Sequence, residues 1–536
     1  MWEQAHDDYS IAAAAVGPHM TADRPVYRLN PAYPRFDTVV HALERNADVI
    51  GDRIGIIVDD RSLTYRAYAS AVAGLAHRLR AMGVTNNTRV AISMTNGLET
   101  AVALLAAMAA GAQVAPINPL FTDPELLRAL GDVQAQVLIC APAALARAQA
   151  VAAQAGVPHL LALGEGATRI EPWAEAGNVE LPKPLPRPEN MAAMFFTGGT
   201  TGVPKAAEHR HSGLMAHART ALGVWPIPQD RERVLNVAPN FHIWGFWFTV
   251  LVPMHAGATT VLASAFKPPL VLDLFSRHRI TFFAGGPSAI YVALRGAENY
   301  RTTDFSALKT CISGGAPCSE ELLLAWERET KVPIHEGVGM SECAPIAGNP
   351  VEGRRKIRSV GLPCADVDIE IVDLETGTRL LPAGEIGEIR VRGPQVMLGY
   401  RNKPEETAHA LRDGWLYTGD IGHFDDEGYL YIVDRKKEMI LVSGFNVYPR
   451  EIDEHLHKHP AIHEAATIGV PDGISGEAVK CVVALKPGAK LTAEELDVYC
   501  RTSLVKYKVP KHIHFVDALP KTGAGKIDKL ALKNAV

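Results

Sequence analysis

Short apolar runs alternate with stretches of helical spacing along most of this 536-residue chain, and no other feature limits its possible folds as strongly. Residues 36–46 and 64–82 carry apolar side chains at helical intervals, and 98–110 is rich in alanine. Residues 89–93 and 137–140 are short and apolar enough to be buried strands. Strands separated by helices pair in parallel, so residues 33 to about 182 are expected to form a layered α/β unit. A second unit of this kind follows, with strands near 234–237, 259–262, 281–283 and 310–312. The proline-studded connector 181–188 between them reads as a semi-rigid strap joining two subdomains. Past Gly361 the texture changes to closely spaced hairpins at 367–372, 384–391 and 429–433, as in a small barrel. After Asp434 the chain turns charged and polar, then resumes as a compact α+β unit. The expected class is therefore α/β and α+β. A large domain, residues 1–434, combines two layered subdomains with a small β-barrel, and residues 435–536 form a small mobile α+β domain.

Composition excludes several function classes. With 54 basic and 59 acidic residues there is no electrostatic footprint for nucleic acid. Seven cysteines without CxxC spacing point to reduced thiols and a cytoplasmic location. Glu3, Asp7 and Asp8 give the N-terminus the wrong charge for a secretory signal. The apolar stretches 101–120 and 246–265 are broken by Gly111, Gln113, Pro116, Pro253 and Gly257, which suits buried helix-then-strand units better than transmembrane spans.

The run 194–205 reads as an anion cradle. An apolar, strand-like lead-in ends in Thr197, Gly198, Gly199, Thr200, Thr201 and Gly202, which can turn several N–H groups and hydroxyls towards one point. Lys205 adds a positive charge, and a helix beginning near His211 is expected to aim its N-terminus at the same anion. Taken alone, such a loop is also an ordinary surface turn. It is not a Walker A loop, because Val203 and Pro204 separate Gly202 from Lys205. Four later stretches have matching chemistry. Residues 313–317 are small and follow a strand, so a flat ring can lie against the backbone there. Residues 336–342 carry Ser341 and Glu342. The turn at 425–428 brings Asp420 and Arg435 to neighbouring strand edges. Near the C-terminus a glycine-rich loop presents Lys526.

These stretches, in this order, resemble the adenylate-forming superfamily of acyl-CoA synthetases, peptide-synthetase adenylation domains and luciferases, over residues 33–533. The family's loop usually reads Thr-Ser-Gly-Thr-Thr-Gly-x-Pro-Lys-Gly. Here Gly198 replaces the serine, a change associated with fatty-acyl members, and Ala206 replaces the last glycine. The resemblance implies ATP and Mg²⁺, with Thr197 to Gly202 and Lys205 on the phosphates and Gly315, Ala316 and Pro317 bordering adenine. Glu336, Gly337, Val338, Gly339, Met340 and Ser341 form the next nucleotide segment, in which Val338 stands where an aromatic is usual. It assigns Glu342 to Mg²⁺ and Asp420 to the ribose with Arg435 beside it. Lys526 would bridge the acid and the α-phosphate, where developing charge makes a placed cation most effective. His242, in the aromatic segment 240–246, would line the carboxylate end. Lys437 falls on the hinge position, and Ser443, Gly444 and Phe445 on the loop that faces the thiol step. Lys506, Lys508 and Lys511 either meet the phosphates of coenzyme A or are solvated. Gly285 and Gly286 leave room, which hints at a long or bulky acyl group.

The implied reaction converts a small-molecule carboxylic acid, a medium- or long-chain fatty acid, and ATP to acyl-AMP and pyrophosphate, then to acyl-CoA with coenzyme A. The alternatives are an aryl or branched acid, a carrier protein as thiol acceptor, a luciferase-like oxidation, or a non-catalytic nucleotide-binding protein. Oligomeric state stays open, with a homodimer among the options.

Overall fold

The computed structural model describes residues 33–197, 204–228, 232–521 and 527–534. Two sheets sandwich a layer of helices. The first, seven-stranded among the described residues, runs in the order Gly399–Tyr400, Ala206–Arg210, Met191–Phe196, Gln113–Pro116, Arg89–Ser93, Val137–Cys140, His159–Ala162. Its last five strands are parallel, as the strand–helix alternation requires. The second, nine-stranded among the described residues, centres on the parallel strands Ile54–Val58, Thr259–Leu262, Arg233–Asn236, Phe282–Gly286, Thr310–Ser313 and Ile334–Met340. The helix Leu98–Ala109 touches both sheets, and every residue in it except Glu99 is buried. Its alanines let two layers approach it closely, so it carries no polar face. The apolar stretches at 101–120 and 246–265 are this kind of helix followed by an inner strand. Among the described residues no helix is long and apolar enough to cross a membrane.

Two expectations are corrected here. The connector 181–188 does not join two subdomains. It returns the chain to the sheet it left, where Ala193 pairs with Val114, and Arg80 clamps it by donating to the carbonyls of Lys183 (2.7 Å) and Pro184 (2.8 Å). Nor does the helix His211–Val224 begin at the anion loop. The strand Ala206–Arg210 intervenes and carries the helix start to the far end of the hairpin. There the amides of His211 and Ser212 bond the carbonyls of Asn190 (3.0 Å) and Pro188 (2.9 Å), so these first helix donors are already satisfied.

An antiparallel sheet built on Gly387–Arg392 and Trp415–Phe424, five-stranded among the described residues, packs beside this sandwich and ends at Arg435. The next strand, Ile440–Val442, joins a separate sheet with Gly476–Leu485 and Ile462–Asp472. That sheet has its own core of Ile440, Ile452, Leu456, Leu496 and Cys500.

Candidate active site

The anion loop is closed at its neck by the hairpin Met191–Phe196/Ala206–Arg210. Thr197 N–H donates to the Lys205 carbonyl (2.8 Å), and Lys205 N–H to Thr197 Oγ1 (3.4 Å). Gly198, Gly199, Thr200, Thr201 and Gly202 lie outside the described residues, as does Lys526. The neck of the second loop is described, with Lys521 and Ile527 forming an antiparallel bridge.

Three parts of the chain meet beside the first neck. The strand Ile334–Met340 turns back through Ser341 and Glu342 into Cys343–Gly348, placing both side chains on a tight turn. Buried His209, on the hairpin's second strand, bonds the Ser341 carbonyl through Nε2 (2.8 Å). Burial pushes this imidazole down to about 4, so it is neutral at neutral pH and acts as a donor. Glu342 is buried, which pushes its carboxyl up, while Arg435 and the Tyr400 hydroxyl favour the ionised form. Tyr400 Oη donates to Glu342 Oε1 at 2.6 Å, and Lys205 Nζ sits 5.0 Å above the Tyr400 ring. No sequence signal pointed to Tyr400, whose strand is two residues long.

Asp420 and Arg435 are directly opposed on neighbouring strands, and Arg435 Nε lies 3.0 Å from Asp420 Oδ1. Both act electrostatically on Glu342, so the ribose and metal candidates share one site. Gly315 and Pro317 are exposed and Ala316 half-buried just past the strand Thr310–Ser313, leaving a surface for a flat ring. Buried Glu336 reaches under this turn and accepts the Cys318 N–H (3.1 Å). Gly337 has no room for a Cβ, which would lie 2.6 Å from the Trp225 ring; at Gly339 it would lie 2.9 Å from Ala344. Val338 and Met340 are half-buried against the core. Among the described residues no three His, Cys, Asp or Glu side chains cluster as metal ligands. A single carboxylate completed by phosphate oxygens and waters is a donor set that fits Mg²⁺.

His242 caps the short helix Ile243–Phe246, its Nδ1 accepting the Trp244 N–H (3.3 Å). The room expected at Gly285 and Gly286 is filled. A Cβ at Gly285 would lie 2.6 Å from Tyr291, and Gly286 faces the Trp244 indole. That indole donates to the Ala284 carbonyl (3.3 Å) and also lies against Gly314.

Lys437 is exposed between Arg435 and Glu438. Ser443 and Gly444 form the positive-φ turn of an exposed hairpin, and Phe445 stacks on Tyr507 (4.7 Å). Lys508 and Lys511 are paired with Glu451 (2.6 Å) and Asp472 (2.5 Å).

A family model described as AMP-binding enzyme matches residues 43–401, and one described as AMP-binding enzyme C-terminal domain matches 451–526. The chain is 35% identical to a long-chain-fatty-acid–CoA ligase of Bacillus subtilis, covering 91% of this chain and 93% of that protein. It is 37% identical to a feruloyl-CoA synthase of Amycolatopsis, with 87% and 93% covered. Among solved structures, ATP-bound MatB of Rhodopseudomonas palustris superposes with a TM-score of 0.86 at 30% identity, over 92% of this chain and 98% of that one.

Proposed function

The chain belongs to the AMP-binding enzyme family, and on that premise we propose that it is an ATP-dependent acid–thiol ligase that makes a fatty acyl-CoA through an acyl-AMP. The observation that carries the reading is the convergence of Glu342, Asp420, Arg435 and Lys205 beside one loop neck, from three separate stretches of chain. Asp420 accepts the ribose hydroxyls and is held by Arg435. The turn at Gly315 to Pro317 borders adenine. Glu342 is the residue that would hold Mg²⁺, which when bound neutralises phosphate charge. Lys205 and Lys526 supply the remaining positive charge, Lys526 acting where the acid oxygen meets the α-phosphorus. Placement and charge neutralisation lower the barrier, with no covalent intermediate on the protein. Coenzyme A then takes the acyl group with release of AMP, the exposed Ser443–Phe445 hairpin serving this second step.

The test is ATP–pyrophosphate exchange across fatty acids of graded length and aryl acids, each repeated with coenzyme A. Exchange that peaks on fatty acids and runs on to thioester is expected. Exchange that stops without thioester would move the acceptor to a carrier protein.

One observation favours a second reading, an aryl acid. The Trp244 indole covers Gly286 and Gly314, forming a flat wall near His242. Trp244→Ala is expected to improve kcat/KM for longer acids by about tenfold relative to short or flat ones, because a vacated indole admits several methylenes. An unchanged acid profile would remove Trp244 from the acyl site.

A further inference from the structure

Lys205 and Glu342 carry opposite charges beside the same loop neck, and a buried Lys–Glu contact would neutralise both. What lies between them is Tyr400. Its backbone is fixed from both sides. Tyr400 pairs with Ala207, next along the strand from Lys205 and Ala206, and Arg401 N–H bonds the Ala206 carbonyl (2.8 Å). On the other side Met397 N–H bonds the carbonyl of Glu342 itself (2.8 Å). Thr407 Oγ1 accepts the Tyr400 N–H (2.9 Å). At Gly399, φ is +155° and a Cβ would lie 2.7 Å from Thr407, so the approach that seats the tyrosine requires glycine. From this anchored position the hydroxyl donates to Glu342 Oε1 in the ring plane while Lys205 stands over the ring face.

We propose that Tyr400 is a positioning residue that holds Glu342 by its hydroxyl and Lys205 by its ring, keeping the two charges apart and available for the nucleotide's phosphates and the divalent cation bound with them. This rests on the reading of Glu342 and Lys205 given above. A hydrogen bond to one carboxylate oxygen orients the other towards the cation, the usual service of an outer partner to a metal ligand. The ring face holds the ammonium only weakly, so an incoming phosphate can draw it away.

The test is calorimetric binding of ATP to the full chain without any acid, once in saturating Mg²⁺ and once in EDTA. Affinity in EDTA reports Lys205, and the increment gained with Mg²⁺ reports Glu342. Tyr400→Phe keeps the ring and loses the hydroxyl. It is expected to bind ATP in EDTA as the parent does and to lose about tenfold or more of the Mg²⁺ increment. Tyr400→Leu loses both holds, lets Lys205 pair with Glu342, and is expected to weaken binding in EDTA by about tenfold as well. Glu342→Gln separates the two levels of the claim. If it keeps the full increment, Glu342 is not the metal ligand and the proposal falls with that reading. If it loses the increment while Tyr400→Phe keeps it, the role of the hydroxyl is overturned and the reading of Glu342 stands. Binding in EDTA that is equal for the Leu and Phe variants would overturn the part assigned to the ring. Should the Leu variant not fold, the Phe result alone decides whether Tyr400 holds Glu342.

Discussion

Glu336 shows how a single buried carboxyl makes stability depend on pH. Burial pushes it up to about 7, with the Cys318 amide and nearby Arg450 and Arg355 pulling the other way. Between its unfolded value of about 4.3 and about 7 the native state therefore binds more protons than the unfolded one. Its contribution worsens as pH rises through that window, and the full penalty is present above about 7. Glu336→Gln, which keeps an acceptor for the Cys318 N–H, is expected to stabilise the protein by on the order of 2 kcal/mol at pH 8 and to have no effect near pH 4. Thermal unfolding at pH 4, 6 and 8 checks this, and a benefit that does not depend on pH would exclude the carboxyl as its source. Asp420 belongs to the same scale. If it reads the ribose, Asp420→Ala should lose the preference for ATP over 2′,3′-dideoxy-ATP, roughly tenfold or more for two hydrogen bonds to a charged group. Competition of the two nucleotides in the exchange assay measures that ratio.

At the scale of elements, tight backbone approaches set the site. Gly361 lies where the strand Leu362–Pro363 begins beside Cys343–Gly348, with φ at +94°, and a Cβ there would lie 1.8 Å from the Gly348 carbonyl. Leu430 N–H also bonds the Gly361 carbonyl (2.8 Å), joining the antiparallel sheet to the large one. Gly361→Ala has no flexible neighbour to displace and is expected to cost about 3 kcal/mol or more in denaturant unfolding. The anion hairpin teaches the converse about helix ends. With the start of His211–Val224 carried to the far end and its first amides satisfied, the positive charge at the loop comes from side chains such as Lys205.

For the whole molecule, we propose that the chain divides after Asp434. Beside this point Arg435 pairs with Asp420 (3.0 Å) and Lys436 with Glu388 (2.8 Å), and farther from it few polar links cross among the described residues. Arg450 N–H bonds Asp434 Oδ2 (2.8 Å), Arg450 Nη1 bonds the Ile432 carbonyl (2.8 Å), and Arg358 pairs with Glu454 (2.6 Å). The last pair is largely solvated, so Glu454→Lys is expected to change global stability by less than about 1 kcal/mol. The same change should speed proteolytic cleavage between residues 435 and 440, because it loosens the docking of the C-terminal unit. Unchanged cleavage alongside unchanged stability would show that this ion pair does not hold the two parts together.

Much of this was legible along the chain. Helical spacing marked Tyr65–Ala81 and Leu98–Ala109 to within a residue or two, and apolar runs marked Arg89–Ser93 and Val137–Cys140. These patterns arise from neighbours three or four residues apart on a helix, or two apart on a strand, so the sequence alone carries them. The facing of Asp420 and Arg435 was legible for a similar reason, since one turn sets the register of a hairpin. What only the tertiary structure decided is how distant surfaces meet. Ile54–Val58 leaves its neighbours for the far sheet, the proline connector returns to the near one, and Trp244 and Tyr291 fill the space that two glycines had suggested was open. Tyr400 is the clearest case. Its strand is too short to show a period, and its partners Lys205 and Glu342 are far away in sequence. Local preference fixes which segments are helix or strand, but which side chain stands between two charges depends on how whole layers bury their apolar faces against one another.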